Sequence, residues 1–258
     1  VTAPAVVVAV PARDEERDLP VCLAHVLCSL THARALGEVG RTVVAVAAHR
    51  CRDRTRAVAA EMLAGHEQVE GVVVEDTTSP SVGAARHRLV RSALRDRSGA
   101  AEDWWVLSTD ADSVVPLTWV GSTLAAARAT GSVAVAGLVE VREWEAEPHV
   151  RAAYDQLVSA GVGETGHSHV YGANLAVRLD AYDAVGGFRD LPHGEDQDLV
   201  DRVRAAGLGV ATPLGPRVTT SGRVPGRADL GLAALLGRLA DEIGQRTATS
   251  SGTLSEPA

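Results

Sequence analysis

The chain has 258 residues, of which 46% are hydrophobic and 22% charged, a composition that supports a buried core in an ordinary globular protein. Its net charge of −8 argues against a nucleic-acid-binding surface, which needs clustered cations. No lysine occurs, so a phosphate-loop lysine, a Schiff-base lysine and a lysine base are all excluded. Residues 5–10 form a β-branched and alanine run that reads as a buried parallel strand. It ends in Pro11-Ala12-Arg13-Asp14-Glu15-Glu16, an acidic segment expected to cap the helix that follows. Residues 19–36 carry apolar side chains at helical spacing and stop at Gly37 and Gly40. Cys22 and Cys28 fall on that pattern as core positions. With Cys51 they make an odd set without metal spacing, read as buried thiols of a reducing compartment.

A second strand is expected over residues 42–47, followed by the polar loop His49-Arg50-Cys51-Arg52-Asp53-Arg54-Thr55 and a helix over 55–63. Residues 72–75 give a third strand. Ser79-Pro80 starts a helix that carries Arg86, His87, Arg88 and Arg91. The apolar run Trp105-Val106-Leu107 is a fourth strand, and it stops at two carboxylates, Asp110 and Asp112. A strand-helix series of this kind implies a parallel sheet, and ligands of such sheets bind at the carboxyl ends of the strands. The Asp pair alone also fits a turn that merely ends a strand. Paired carboxylates there suit a hard divalent cation, Mg²⁺ or Mn²⁺, which can hold a diphosphate.

Further on, a helix is expected from Pro116 to about Arg128, a strand over 133–141, a helix over 149–158 and a mobile loop over 161–169. A strand over 171–178 and a short helix over 179–185 follow, the latter closed by Gly186-Gly187-Phe188. Gly194-Glu195-Asp196-Gln197-Asp198-Leu199 opens another helix, in which Asp198 is a first-turn partner of the dipole. Short strands are expected at 209–212 and 217–220. Residues 228–243 form an amphipathic helix suited to core packing or to a homodimer contact. Residues 247–258 read as a disordered tail. No apolar run approaches the roughly 20 residues of a membrane span, and no signal peptide is seen at the start.

Four landmarks stand in order: the Pro11–Glu16 turn, Asp110-Ala111-Asp112, Gly172-Ala173-Asn174-Leu175-Ala176-Val177-Arg178 with Gly186-Gly187-Phe188, and Gly194-Glu195-Asp196. Each is weak alone. Together they resemble the family 2 glycosyltransferases of GT-A fold, over roughly residues 5–225. The resemblance implies an α/β protein with a mostly parallel central sheet flanked by helices. It implies a single GT-A domain over 1–246, with a nucleotide-binding half (5–112), an acceptor-binding half (113–225) and a C-terminal helix (226–246). The implied activity is inverting, metal-assisted hexosyl transfer from a nucleotide-sugar donor to a hydroxyl acceptor.

The same resemblance distributes roles. Asp112 is implied as a direct metal ligand, with Asp110 as a ribose, water-mediated or second metal contact and Ala111 between them. Asp196 is implied as the general base, kept ionised at a helix N-terminus. Pro11, Ala12, Glu15, His49 and Arg86 fall at nucleotide-binding positions. Asn174, the chain's only asparagine, together with His193 and Glu195 falls at the acceptor pocket. Relatives carry a further histidine ligand near residue 220, and this chain has none there. Arg223 and Arg227 are expected to contact the diphosphate instead, or to form a surface loop. His87 stands where asparagine is usual, and the loop after the second strand lacks the early aspartate that reads the base. The nucleotide therefore stays open. So does the acceptor, soluble or lipid-linked, and with it a cytoplasmic or membrane-peripheral location. The alternatives are a nucleotidyltransferase, disfavoured because no Gly-rich loop follows the first strand, and a non-catalytic nucleotide-sugar-binding relative.

Overall fold

Strand β1 (Ala5–Ala12) is buried over seven of its eight residues, as an apolar strand covered on both faces must be. It lies between β2 (Thr42–His49) and β4 (Trp104–Ser108), parallel to both, and β2 pairs in parallel with β3 (Glu70–Asp76). The computed structural model describes residues 3–96, 98–142, 144, 146–223 and 237. Of the expectations above, Arg227, the 226–246 helix (except Gly237) and the 247–258 tail lie outside them.

Three helices link these strands: α1 (Leu19–Ala35), α2 (Thr55–Ala64) and α3 (Val82–Ala93). Leu19, Leu23, Val26, Leu27 and Leu30 of α1 enter one core layer with Val6, Val8 and Val10. Leu89 and Val90 of α3 enter the opposite layer with Val7 and Ala9. Alternate residues of β1 thus face opposite helices, the period-two consequence of the pleat. Cys22 is buried as expected, but Cys28 is exposed. It falls one helical step outside the apolar stripe.

The sheet has seven strands in the order β3-β2-β1-β4-β7-β5-β8, with β7 (Leu175–Arg178) antiparallel to both β4 and β5 (Ala134–Ala136), and β8 (Val210–Ala211) at the edge. Between these strands lie α4 (Trp119–Thr130), α5 (Pro148–Ala160), α6 (Leu179–Ala184) and α7 (Glu195–Ala205). The strand expected over 133–141 is broken at Gly137. Its second part, β6 (Leu138–Arg142), leaves the main sheet and pairs in parallel with β9 (Arg217–Ser221). The break has a steric cause. A Cβ on Gly137 would lie 2.2 Å from the Asn174 side-chain nitrogen, so only glycine lets the strand pass that carboxamide. The expected 171–178 strand likewise begins with a 3₁₀ turn, Gly172–Asn174. The 161–169 loop is folded on itself through a bridge between Val162 and His167. His167, expected in a solvated loop, is buried and stacks on His169.

The acidic segment after β1 does not cap α1. The N-cap, Asp18, makes no capping bond, and no acidic residue lies in the first turn. The segment instead grips the loop after β2. The Asp14 carboxylate accepts the Arg52 amide at 2.6 Å, Glu16 accepts that of Arg54 at 3.0 Å, and Thr55 Oγ1 accepts the Glu15 amide at 2.7 Å.

Candidate active site

Strand β4 ends buried at the carboxyl edge of the sheet, and the loop after it holds the two carboxylates. The loop that bears them is pinned across the molecule. Val114 pairs with Thr219 of β9, and Ser113 Oγ donates to Thr220 Oγ1 at 2.9 Å. Thr220 Oγ1 in turn donates to Asp112 at 3.3 Å. The Asp112 carboxyl is pushed up to about 7 by burial and by the charges of Asp110 and Glu15, against the opposing pull of Arg223 and Thr220. A carboxylate in that state lies in a surplus of negative charge. Asp110, Asp112 and Glu15 carry hard oxygens of the kind a divalent cation takes, although the three are not gathered within 4.8 Å of one another.

Arg86 is the joint between this edge and the far end of the chain. It is 3% exposed. One of its nitrogens pairs with Asp110, and the other donates to Glu195 Oε1 at 2.6 Å. Its guanidinium also lies over the Phe188 ring, 5.7 Å from the centroid. Gly172 leaves the room: a Cβ there would lie 2.2 Å from Arg86 Nη1. Burial raises the Glu195 carboxyl, although Arg86 opposes the shift. Beside Glu195, Asp196 is half-buried in the first turn of α7. Its Oδ2 accepts the Gly172 amide at 2.7 Å, and its Oδ1 accepts that of Gln197 at 2.8 Å. Three of the four landmarks thus meet through two side chains, Arg86 and Asp196, while the fourth, the Pro11–Glu16 turn, is joined to Asp112 through Arg223.

A protein-family model described as "Glycosyltransferase like family 2" matches residues 4–228. The chain belongs to this family. Among curated proteins none matches it. Its fold resembles that of a mannosyltransferase from Pyrobaculum calidifontis solved with GDP-Man and Mn²⁺, at 22% identity and a TM-score of 0.60, over 98% of this chain and 66% of that one. S. aureus TarS 1-349 with UDP-GlcNAc is similar at 14% identity and a TM-score of 0.59, over 88% of this chain and 61% of TarS. A mycobacterial protein is similar at 19% identity and a TM-score of 0.51, over 92% of this chain and 75% of that one. The chain therefore spans about three-fifths of the TarS chain's length. The GT-A arrangement of a mostly parallel sheet between helices is thereby established.

Within this family 2 chain the remaining sequence candidates divide. Pro11 and Ala12 are buried at the carboxyl end of β1, where the Ala12 carbonyl accepts the Cys51 thiol at 3.4 Å. Ala111 packs into the core between the two aspartates. Arg223 reaches three carboxylates: Glu15 at 3.0 Å, Asp18 at 3.2 Å and Asp112 at 3.4 Å. His49 is buried and bonded to the Ser79 carbonyl at 2.9 Å, which holds the loops after β2 and β3 together. His193 is exposed. His87 turns away from the site, stacked on Tyr182 and 3.1 Å from its hydroxyl. Asn174 is 3% exposed. Its oxygen accepts the Trp119 indole at 2.9 Å, and its nitrogen donates to the carbonyls of Leu138 and Pro216 at 2.8 and 3.2 Å. That geometry makes it a joint between the two sheets.

Arg88 and Arg91 on α3 are half-exposed and ion-paired, with Asp76 at 3.1 Å and with Asp183 at 2.6 Å. Asp198 pairs with Arg202 along its own helix at 2.6 Å. A second acidic group, Asp14, Cys51 and Asp53, places its ligand atoms within 4.8 Å of one another. Those atoms are engaged in the loop: Asp53 accepts the Glu16 and Thr55 amides at 3.1 and 2.9 Å, and Cys51 Sγ accepts that of Asp14 at 3.4 Å.

Asp76, at the end of β3, carries no motif in the sequence, yet its side chain is 1% exposed. Burial alone would raise its carboxyl. Bonds from Ser79 and Thr78 and the charge of Arg88 outweigh that and lower it. A lowered carboxyl contributes stability above its unfolded pKa of about 3.9, and that contribution fades as pH falls through the folded value. Asp76→Asn should therefore lose about 1.5–3 kcal/mol in urea unfolding at pH 7. The gap to the wild type should close as the pH falls below about 4.

Proposed function

We propose that this chain transfers a sugar, with inversion, from a nucleotide-diphosphate donor to a hydroxyl acceptor, assisted by a divalent cation and with Asp196 as general base. The observation that carries this reading is the buried bridge Asp110–Arg86–Glu195. It ties the carboxylates at the sheet edge to the carboxylate at the start of α7, so a diphosphate end and a base end are held side by side. Asp110 and Asp112, with Glu15 beside them, would hold the cation, which when bound supplies charge stabilisation for the departing diphosphate. Support for a divalent cation also comes from the Mn²⁺ and GDP-Man of the Pyrobaculum enzyme.

Asp196 lies in the first turn of α7, where the helix dipole favours an anion. The Gly172 amide fixes Oδ2 and so sets the orientation of the carboxylate. One base and one displacement give inversion, because no second carboxylate is needed as a nucleophile. Glu195, locked against Arg86, positions Asp196 rather than competing for the proton. No helix among the described residues is long and apolar enough to cross a membrane.

Calorimetry with UDP and with GDP, each with and without Mn²⁺, tests the donor half of this reading. Micromolar binding of one diphosphate, strengthened by Mn²⁺, is the expected outcome. No metal-dependent binding of either would sink it.

A further inference from the structure

The segment after β9 offers no histidine to the carboxylate edge. It offers Arg223. Nη2 lies 3.0 Å from Glu15 and 3.4 Å from Asp112, while Nη1 lies 3.2 Å from Asp18. One guanidinium thus faces three carboxylates, two of which, Glu15 and Asp112, belong to the proposed cation's donor set. Its Nε–H is buried and has no hydrogen-bond partner among the described residues, so the fork has not used all its donors. The segment is held in place by the Val114–Thr219 bridge and by Thr220 on Asp112, so Arg223 is delivered to this spot by the fold.

We propose that Arg223 is a placeholder cation that occupies the Glu15–Asp112 pair in the free protein and moves to the diphosphate when the donor binds. The proposal rests on the donor reading above and goes beyond it. Two cations cannot share one carboxylate pair without mutual repulsion, so Arg223 opposes divalent-cation binding as long as no diphosphate is present. A diphosphate offers the guanidinium two or more anionic oxygens in the planar geometry it prefers. Once drawn there, Arg223 releases Asp112 and Glu15. Metal and nucleotide then bind interdependently, and each strengthens the other by the same factor.

The test is the Mn²⁺ affinity of the full chain, read from the electron paramagnetic resonance signal of free Mn²⁺. Wild type, Arg223→Gln and Arg223→Lys are compared without nucleotide and with UDP or GDP, nucleotide alone serving as the blank. Without nucleotide, Arg223→Gln should bind Mn²⁺ about tenfold more tightly than wild type, a coupling of ordinary size. Arg223→Lys keeps the charge and should stay close to wild type. Nucleotide should strengthen Mn²⁺ binding in the wild type by a clearly larger factor than in Arg223→Gln. Equal or weaker Mn²⁺ binding by folded Arg223→Gln would overturn the proposal while leaving the donor reading intact. Failure of the wild type itself to bind Mn²⁺ with either nucleotide would overturn both.

Discussion

Asp196→Asn should lower sugar transfer by about 10²–10⁴-fold, the share a positioned base contributes, while nucleoside diphosphate affinity stays within about twofold. The variant is a clean one. The asparagine oxygen can still accept the Gly172 amide that Asp196 accepts at 2.7 Å, so the turn before β7 keeps its anchor. What is lost is the negative charge and with it the proton acceptor. The helix N-terminus loses about 0.3–1 kcal/mol of favourable charge, too little to unfold the domain. The check is a pair of measurements on one preparation: turnover with the donor found by calorimetry, and the dissociation constant of its nucleotide. A large loss of affinity with turnover per bound donor unchanged would show that Asp196 holds the donor and that the base lies elsewhere.

Arg86→Met is expected to be the most destabilising single change in the site. It leaves Glu195 with no counter-ion at 7% side-chain exposure and frees Asp110 on one side. Removing one member of a buried ion pair costs about 3–5 kcal/mol, because the other charge stays desolvated. Chemical denaturation reads this directly. The pH dependence has a definite sign. The Glu195 carboxyl is already raised by burial, and losing Arg86 raises it further. A raised carboxyl favours the protonated form in the fold, so the deficit is smallest in mild acid and grows as the pH rises. The double variant Arg86→Met/Glu195→Met should recover much of the loss, since an apolar pair can replace a buried ionic one. A deficit that the second change does not reduce would mean that Arg86 acts mainly through Asp110 or through Phe188.

The sequence carries the first half of the fold because its strands are buried on both faces. Such strands are written as unbroken apolar runs, and residues 5–10, 42–47 and 105–107 all occur in strands. The second half is harder to read. At Gly137 the strand changes sheets within a single apolar run, and hydrophobicity does not distinguish one side of that break from the other. The reason for the break is Asn174, which is 37 residues away. Likewise the acidic turn after β1 reads locally as a helix cap, whereas its carboxylates accept amides from a loop nearly forty residues later. Of the site, Asp110 and Asp112 stand out because they end an apolar run, and Asp196 through the family resemblance. The charge partners are legible only in part. The resemblance marks Arg86 and Arg223 as donor contacts, but nothing local pairs Arg86 with Glu195, 109 residues away. Asp18 and Thr220 belong to the site through Arg223 and Asp112, and pairings across 205 and 108 residues leave no local trace.

The bridge between Val114 and Thr219 is a single rung, closed by two backbone bonds of 2.7 and 3.0 Å. A longer ladder can slip by whole registers. This rung cannot slide, because the Ser113–Thr220 and Thr220–Asp112 side-chain bonds beside it hold a single register. The loop carrying Asp112 and the strand carrying Thr220 therefore open as one piece, and the two amides that form the rung are shielded from solvent hydrogen together or not at all.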